Sequence, residues 1–263
     1  MPLLEVYGLS KSFGGLMANK DIDFHMNEHE IVSVIGPNGA GKTTFFNMIS
    51  GFYRADAGTI VFGGRKLGKL TPEKVASCRI ARTFQNIRLF PEMLTVENII
   101  AAMNMDFKYN LLDILFHTGR FRRGESEAHE RAMGLLKYVG LEGREGELAK
   151  NLSYGEQRRL EIARALAIKP KLLLLDEPAA GLNPKETEEM KNFIIQIRND
   201  LGHAILLIEH DMKLVMGLSD RIVVLNYGVK IAEGTPEEIK ENQEVVEAYL
   251  GIDEKDEAVD VAS

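Results

Sequence analysis

The chain has 263 residues and carries 32 Lys and Arg against 39 Asp and Glu, a formal net charge of −7. A hydrophobic fraction of 45% and a charged fraction of 27% exclude a disordered chain, a collagen and a small disulfide scaffold. The acidic balance argues against unspecific nucleic-acid binding as the main task, and the length suits one large domain or two small ones. Charge is uneven: Asp253, Glu254, Asp256, Glu257 and Asp260 face only Lys255 in the stretch 252–263, which reads as a solvated, disordered acidic extension. The single cysteine, Cys78, excludes an internal disulfide and suits a reducing compartment, as a half-buried small residue. No apolar run reaches the ~18 residues of a membrane span, and the first residues lack the pattern of a secretion signal, so the expected location is the cytoplasm.

In chain order, Leu4–Leu9 and Asp21–His25 alternate apolar and polar side chains, as half-exposed antiparallel strands do. Ile31–Ile35 is β-branched and almost wholly apolar, which suits a strand buried on both faces of a parallel sheet. A glycine-rich turn and a helix follow it. From about Pro91 to Ala167 the pattern is mostly helical, with predicted helices over Thr95–Met103 (Thr cap, Glu97), Ser126–Val139 and Gly155–Ala167. The stretch 107–124, which mixes aromatics with Arg120, Arg122 and Arg123, has no assignable pattern. Leu172–Leu175 and Ala204–Ile208 are further buried-strand runs, each followed by polar residues and a helix. The order predicts an α/β core with a parallel sheet and an inserted helical block. Asn183-Pro184-Lys185-Glu186 and Thr235-Pro236-Glu237-Glu238 are helix starts with a cap, a proline and a glutamate in the capping positions.

Gly36-Pro37-Asn38-Gly39-Ala40-Gly41-Lys42-Thr43, with Thr44 after it, matches the phosphate-binding loop and stands between a buried strand and a helix. Glycines allow successive backbone N–H groups to converge on an anion, and the helix start adds its positive end. Lys42 is placed to reach the β- and γ-phosphates, and the Thr43 hydroxyl to ligate Mg²⁺. The loop establishes nucleotide binding without separating kinases, GTPases and transport ATPases. Asp176-Glu177 ends the apolar run Leu172–Leu175, where buried acids need compensation that a metal ion and a nucleotide can give. Asp176 then supports Mg²⁺ and Glu177 polarises the attacking water. His210 lies just past the end of another core strand, where ligands bind in parallel sheets.

Together these residues resemble the ABC-type ATPases over nearly the whole chain, from about Leu3 to Gly251. Leu152-Ser153-Tyr154-Gly155-Glu156-Gln157 is similar to that family's signature, which implies that Ser153, Tyr154, Gly155 and Glu156 cap the phosphate of an ATP held by the opposite subunit. The resemblance also implies that Gln85 links Mg²⁺ to the helical block, that Phe13 stacks on adenine, that His210 contacts the γ-phosphate, and that Ala180–Asn183 crosses the dimer interface. Tyr154 stands where most members have glycine, and Asn183 where many have aspartate, which points to a subfamily. The stretches 81–90, 182–187 and 208–217, the Phe121–Arg123 segment and the ending Ala-Tyr-Leu-Gly at 248–251 resemble the branched-chain amino-acid importer ATPases of the LivG type.

The implied fold is that of a P-loop NTPase: an N-terminal antiparallel β subdomain, a parallel-sheet core and a helical subdomain at about 91–167, all within one unit at 3–251. The implied activity is ATP hydrolysis with Mg²⁺ in a head-to-tail pair of ATPase subunits. That pair would sit on the cytoplasmic face of the membrane, attached to permease subunits and served indirectly by a solute-binding protein, without nucleic acid. Another ABC transporter, for other amino acids, amides, urea or lipopolysaccharide, is the alternative.

Overall fold

The computed structural model of the chain describes residues 2–67, 70–104, 113, 115–116 and 118–249; the acidic stretch 252–263 lies outside these, as does most of 105–117. The strands are β1 (Leu4–Phe13), β2 (Leu16–Met26), β3 (Ile31–Ile35), β4 (Ala57–Phe62), β5 (Arg65–Lys66), β6 (Ile80–Arg82), β7 (Leu172–Asp176), β8 (Ala204–Ile208), β9 (Arg221–Asn226) and β10 (Val229–Gly234). The helices are α1 (Lys42–Ile49), α2 (Pro72–Ser77), α3 (Thr95–Met103), α4 (Gly119–Tyr138), α5 (Tyr154–Leu166), α6 (Pro184–Leu201), α7 (Met212–Leu218) and α8 (Pro236–Glu241).

Two sheets result. β2-β1-β4-β5 is antiparallel throughout, and β10-β9-β3-β8-β7-β6 is parallel except for β10. The apolar runs are explained by what covers each face. Leu173, Leu175, Ile205 and Leu207 pack with α3 to α6, whereas Leu172, Leu174, Leu206, Ile208, Val32 and Val34 pack with Phe45 and Phe46 of α1 and with the antiparallel sheet. A strand covered on both sides has no solvent face, so the alternation seen in β1 and β2 disappears. The same period of two sends Asp176 to the α1 face, beside the phosphate loop.

Within the helical block, the chain at the start of α3 is paired with the chain between α4 and α5. Residues 91–96 run antiparallel to 145–150: Thr95 and Ala149 donate backbone N–H bonds to the carbonyls of Glu147 and Met93, and Leu94 bridges Leu148. The expected Thr95 cap is corrected here. Leu94 precedes the helix, Thr95 is its buried first residue, and the Thr95 hydroxyl donates to the Glu147 carbonyl, while Glu97 accepts the Leu94 N–H. Tertiary pairing therefore took the hydroxyl that the sequence offered as a cap. The helix expected from Ser126 begins earlier, at Gly119 after the Thr118 cap, so the described end of 107–124 is helical. β4, β5, β6, β9 and β10 were not predicted from pattern. Most are short or lie where polar residues interrupt the alternation.

Leu207→Ala, at a site with no exposure, is expected to lower unfolding free energy by about 2–5 kcal/mol, read from a urea transition at unchanged slope.

Candidate functional site

The turn after β3 brings its backbone inward through glycines at positive φ: Gly36 at 143°, Gly39 at 78° and Gly41 at 98°. At Gly36 a Cβ would stand 2.0 Å from the Leu225 carbonyl oxygen, and at Gly41 one would stand 2.3 Å from that of Ala18, so both positions exclude a side chain. The loop is braced from outside by the β9–β10 hairpin, where the Gly228 N–H donates to the Ala40 carbonyl. Pro37, Asn38 and Ala40 shape the turn between these glycines, with Asn38 exposed and Ala40 buried. Lys42 is buried at the start of α1, and its Nζ donates to the carbonyls of Gly36 at 2.5 Å and Pro37 at 2.9 Å. Burial pushes this ammonium below its ordinary pKa, and Glu177 and Asp176 pull it back up. Thr43 is exposed and Thr44 half-buried in the same turn. A concavity of backbone donors with one cation at its floor is suited to a polyphosphate.

Asp176 is 4% exposed and pairs with Arg82, whose Nη2 lies 2.8 Å from Oδ2. The guanidinium also donates to Asn47 of α1 and to Ser50 at its C-terminal cap, and lies against the ring of Phe84. Compensation of the buried acid was expected from a metal and a nucleotide; a protein cation supplies part of it. Arg82 was missed because β6 is only three residues long, although it runs parallel to β7 with Arg82 opposite Leu174 and so shares a face with Asp176.

Glu177 turns out of the strand with φ of 48°, a left-handed conformation that a glutamate adopts at some cost. Its N–H donates to the Ile208 carbonyl. Its Oε2 accepts from Gln85 Nε2 at 2.9 Å and stands 3.8 Å from His210 Nδ1. Gln85, Glu177 and His210, distant in sequence, thus meet at the carboxyl edge of the sheet, with Lys42 and Asp176 close by.

Phe13 and the Ser153–Glu156 segment meet other partners. Phe13, at the end of β1, is 42% exposed and sets its ring edge-on to Tyr53 at 5.2 Å between centroids. Ser153 caps α5: its Oγ accepts the Glu156 N–H, and Glu156 accepts the Ser153 N–H, which holds the Glu156 carboxyl below its ordinary pKa. The Tyr154 ring covers Gly181, where a Cβ would lie 3.1 Å from it, and its hydroxyl is 3.2 Å from Arg158 Nη2. Gly155 faces Leu182 and Glu186. Asn183 caps α6 by accepting from the N–H groups of Lys185 and Glu186.

An ion pair inside α5 was also missed. Arg158 and Glu161 are 1% and 2% exposed. Arg158 donates to the carbonyls of Phe84 and Gln85, and Glu161 accepts from the N–H groups of Phe84 and Arg88. Burial raises the Glu161 carboxyl while Arg158 opposes it. Buried Asn98 bonds both the N–H and the carbonyl of Phe90, fixing the far end of this segment. Arg158 and Glu161 at i and i+3 read as a surface pair in sequence; only the presence of the Gln85 segment against α5 makes them interior.

The ABC transporter family model matches residues 19–180, and a model for the branched-chain amino acid ATP-binding cassette transporter matches residues 229–255. The high-affinity branched-chain amino acid transport ATP-binding protein LivG of Salmonella typhimurium is 52% identical over 95% of this chain and 98% of its own length. Its counterpart BraF of Pseudomonas aeruginosa is 50% identical over the same shares. A crystal structure of an ATP-binding cassette of an ABC transporter in its ADP conformation superposes with a TM-score of 0.83 at 30% identity, covering 95% of this chain and 99% of that one. A dimeric cassette bound to ADP and Pi gives 0.75 at 25% identity, over 89% and 98%. The glycine-rich loop, the acid-ended strand and the order of elements thus have one source: the chain belongs to the ABC transporter family, among its ATP-hydrolysing branched-chain amino-acid transport ATP-binding proteins.

Proposed function

We propose that the chain binds and hydrolyses ATP to drive a branched-chain amino-acid importer, from the cytoplasmic face of the membrane. The observation that carries the reading is the meeting of Gln85, Glu177 and His210 at the sheet edge beside the phosphate loop. The solute follows from the relatives, whose names specify branched-chain amino acids. Among the described residues no helix is long and apolar enough to cross a membrane. Separate permease subunits, of the kind an ABC transporter uses, would carry the solute. A binding protein outside the membrane would present the solute to them.

ATP phosphates lie on the N–H groups of Gly36–Thr44, with Lys42 turning from the loop carbonyls to the β- and γ-oxygens. Phe13 offers the adenine an exposed aromatic face. The donors that would hold Mg²⁺ are a hydroxyl from Thr43, an amide from Gln85 and a carboxylate from Asp176, an all-oxygen set of the kind this ion takes together with phosphate oxygens. When bound, Mg²⁺ neutralises charge on those oxygens. Glu177 orients a water and takes its proton as the γ-phosphate is attacked, and His210 donates to the γ-phosphate. Gln85 keeps Glu177 in place through its amide.

Ser153, Tyr154, Gly155 and Glu156 start α5, whose positive end suits a phosphate from a second subunit. Asn183 then lies at the seam of a head-to-tail pair, homo- or heterodimeric, supported by the dimeric relative. Closing two such subunits over ATP excludes water and strengthens every charge interaction at the reacting centre. Because α5 bonds the Gln85 segment directly, closure at one site reaches Glu177 of the same subunit and, through the helical block, the permease. The block would occupy about 91–167, with the catalytic unit extending over 3–251.

Glu177→Gln is expected to bind ATP with near-normal affinity while turning over about 10²–10⁴ times more slowly, the contribution typical of a general base. Full hydrolysis by this variant would remove Glu177 from that role. In the same variant ATP should drive dimerisation visible by light scattering, with or without a sister ATPase. Lys42→Ala should abolish ATP binding in calorimetry; unchanged affinity contradicts the phosphate-loop assignment.

A further inference from the structure

Glu209 follows the last residue of β8 and, at 1% exposed, is more deeply buried than Asp176. Asp176 has Arg82 beside it; among the described residues Glu209 has no such cation. Among the described residues the ionisable group within ion-pair reach of Glu209 is His210, whose Nδ1 stands 4.0 Å from Oε2. Backbone donors satisfy the carboxylate instead. Oε1 accepts the Ala179 N–H at 2.9 Å, Oε2 accepts the His210 N–H at 3.2 Å, and the Asp211 amide adds to them. Burial raises this carboxyl above its ordinary pKa, and those amides counter the rise.

The two bonded amides belong to different loops. Ala179 lies two residues beyond Glu177, in the turn that the φ of 48° begins, and His210 carries the side chain that faces Glu177 Oε2. An ionised carboxylate accepts at both oxygens, whereas a glutamine would set its NH₂ against one of these N–H groups. An apolar residue would leave the buried Ala179 N–H unpaired. The cost of burying an acid is therefore tied to a task that neither replacement performs.

We propose that Glu209 is a positioning residue for ATP hydrolysis: by bonding Ala179 and His210 together, it fixes the loop of Glu177 against the loop of His210. This rests on the roles given above to Glu177 and His210. Glu209 touches neither ATP nor the attacked water.

The test uses the full chain with Glu209→Gln and Glu209→Asp, with sites counted by ADP titration and kcat expressed per site. Glu209→Gln should lose about ten- to hundredfold in kcat per site, since displacing a reacting group by ~1 Å can cost 10²-fold, with KM for ATP little changed. Glu209→Asp keeps the charge but is one methylene shorter than the span between the two amides, and should lose less. A residue that only stabilises the fold would reduce the melting temperature and the number of sites and leave kcat per site at the wild-type value; that result overturns the proposal. If Glu209→Gln does not fold, the same readout on Glu209→Asp decides, and wild-type kcat per site again overturns it. Normal turnover by Glu177→Gln would remove the base assignment itself. A slow Glu177→Gln beside a fully active Glu209→Gln would remove the role of Glu209 alone.

Discussion

The constraint on which the site depends is the holding of charge at the carboxyl edge of a sheet whose strands are buried on both faces. Apart from Ser33, which bonds Ser219, the interiors of β3, β7 and β8 are apolar, and the charged groups gather where these strands end. Each is compensated differently. Lys42 is met by the carbonyls of its own loop, Asp176 by Arg82, and Glu209 by amides of two neighbouring turns. Removing one partner of a buried pair costs about 3–5 kcal/mol, more than the pair itself contributes, so these groups hold one another in place more than they stabilise the fold. The edge is in this sense pre-organised for a charged ligand.

The second level of organisation lies in α5. Its first turn carries the Ser153–Glu156 capping box, and its buried side holds Arg158 and Glu161 on the backbone of the Gln85 segment. One helix thus serves two loops that sequence reading treats as independent motifs. Tyr154, at the surface, contacts Arg158 and covers Gly181 in the loop between β7 and α6. The subfamily tyrosine in place of glycine therefore has packing partners within its own subunit.

Much of this was legible in sequence where chemistry imposes residue type at fixed spacing. The loop from Gly36 to Thr43 could be read because no side chain fits at Gly36 or Gly41, and Asp176-Glu177 because acids after four leucines are anomalous. The Asn183 cap was read from local hydrogen bonding alone, and it stands as expected. Arg82, Arg158, Glu161 and Glu209 were not legible. Each is a common charged residue whose meaning comes from a partner 30 to 94 positions away, set by strand order or helix packing. Thr95 shows the same limit in reverse: a local signal was present, and a longer-range bond to Glu147 claimed it.

The grip of α5 on the Gln85 segment has a consequence for where the backbone changes hands. Thr83 belongs to the sheet, because its N–H donates to the Leu174 carbonyl and its hydroxyl accepts the Asp176 N–H. The backbone of Phe84 is held by α5, at its N–H by Glu161 and at its carbonyl by Arg158, while its ring packs against Arg82 and Phe52. The change from sheet-held to helix-held backbone therefore falls between two adjacent residues, one position before Gln85, whose amide bonds the Glu177 carboxylate.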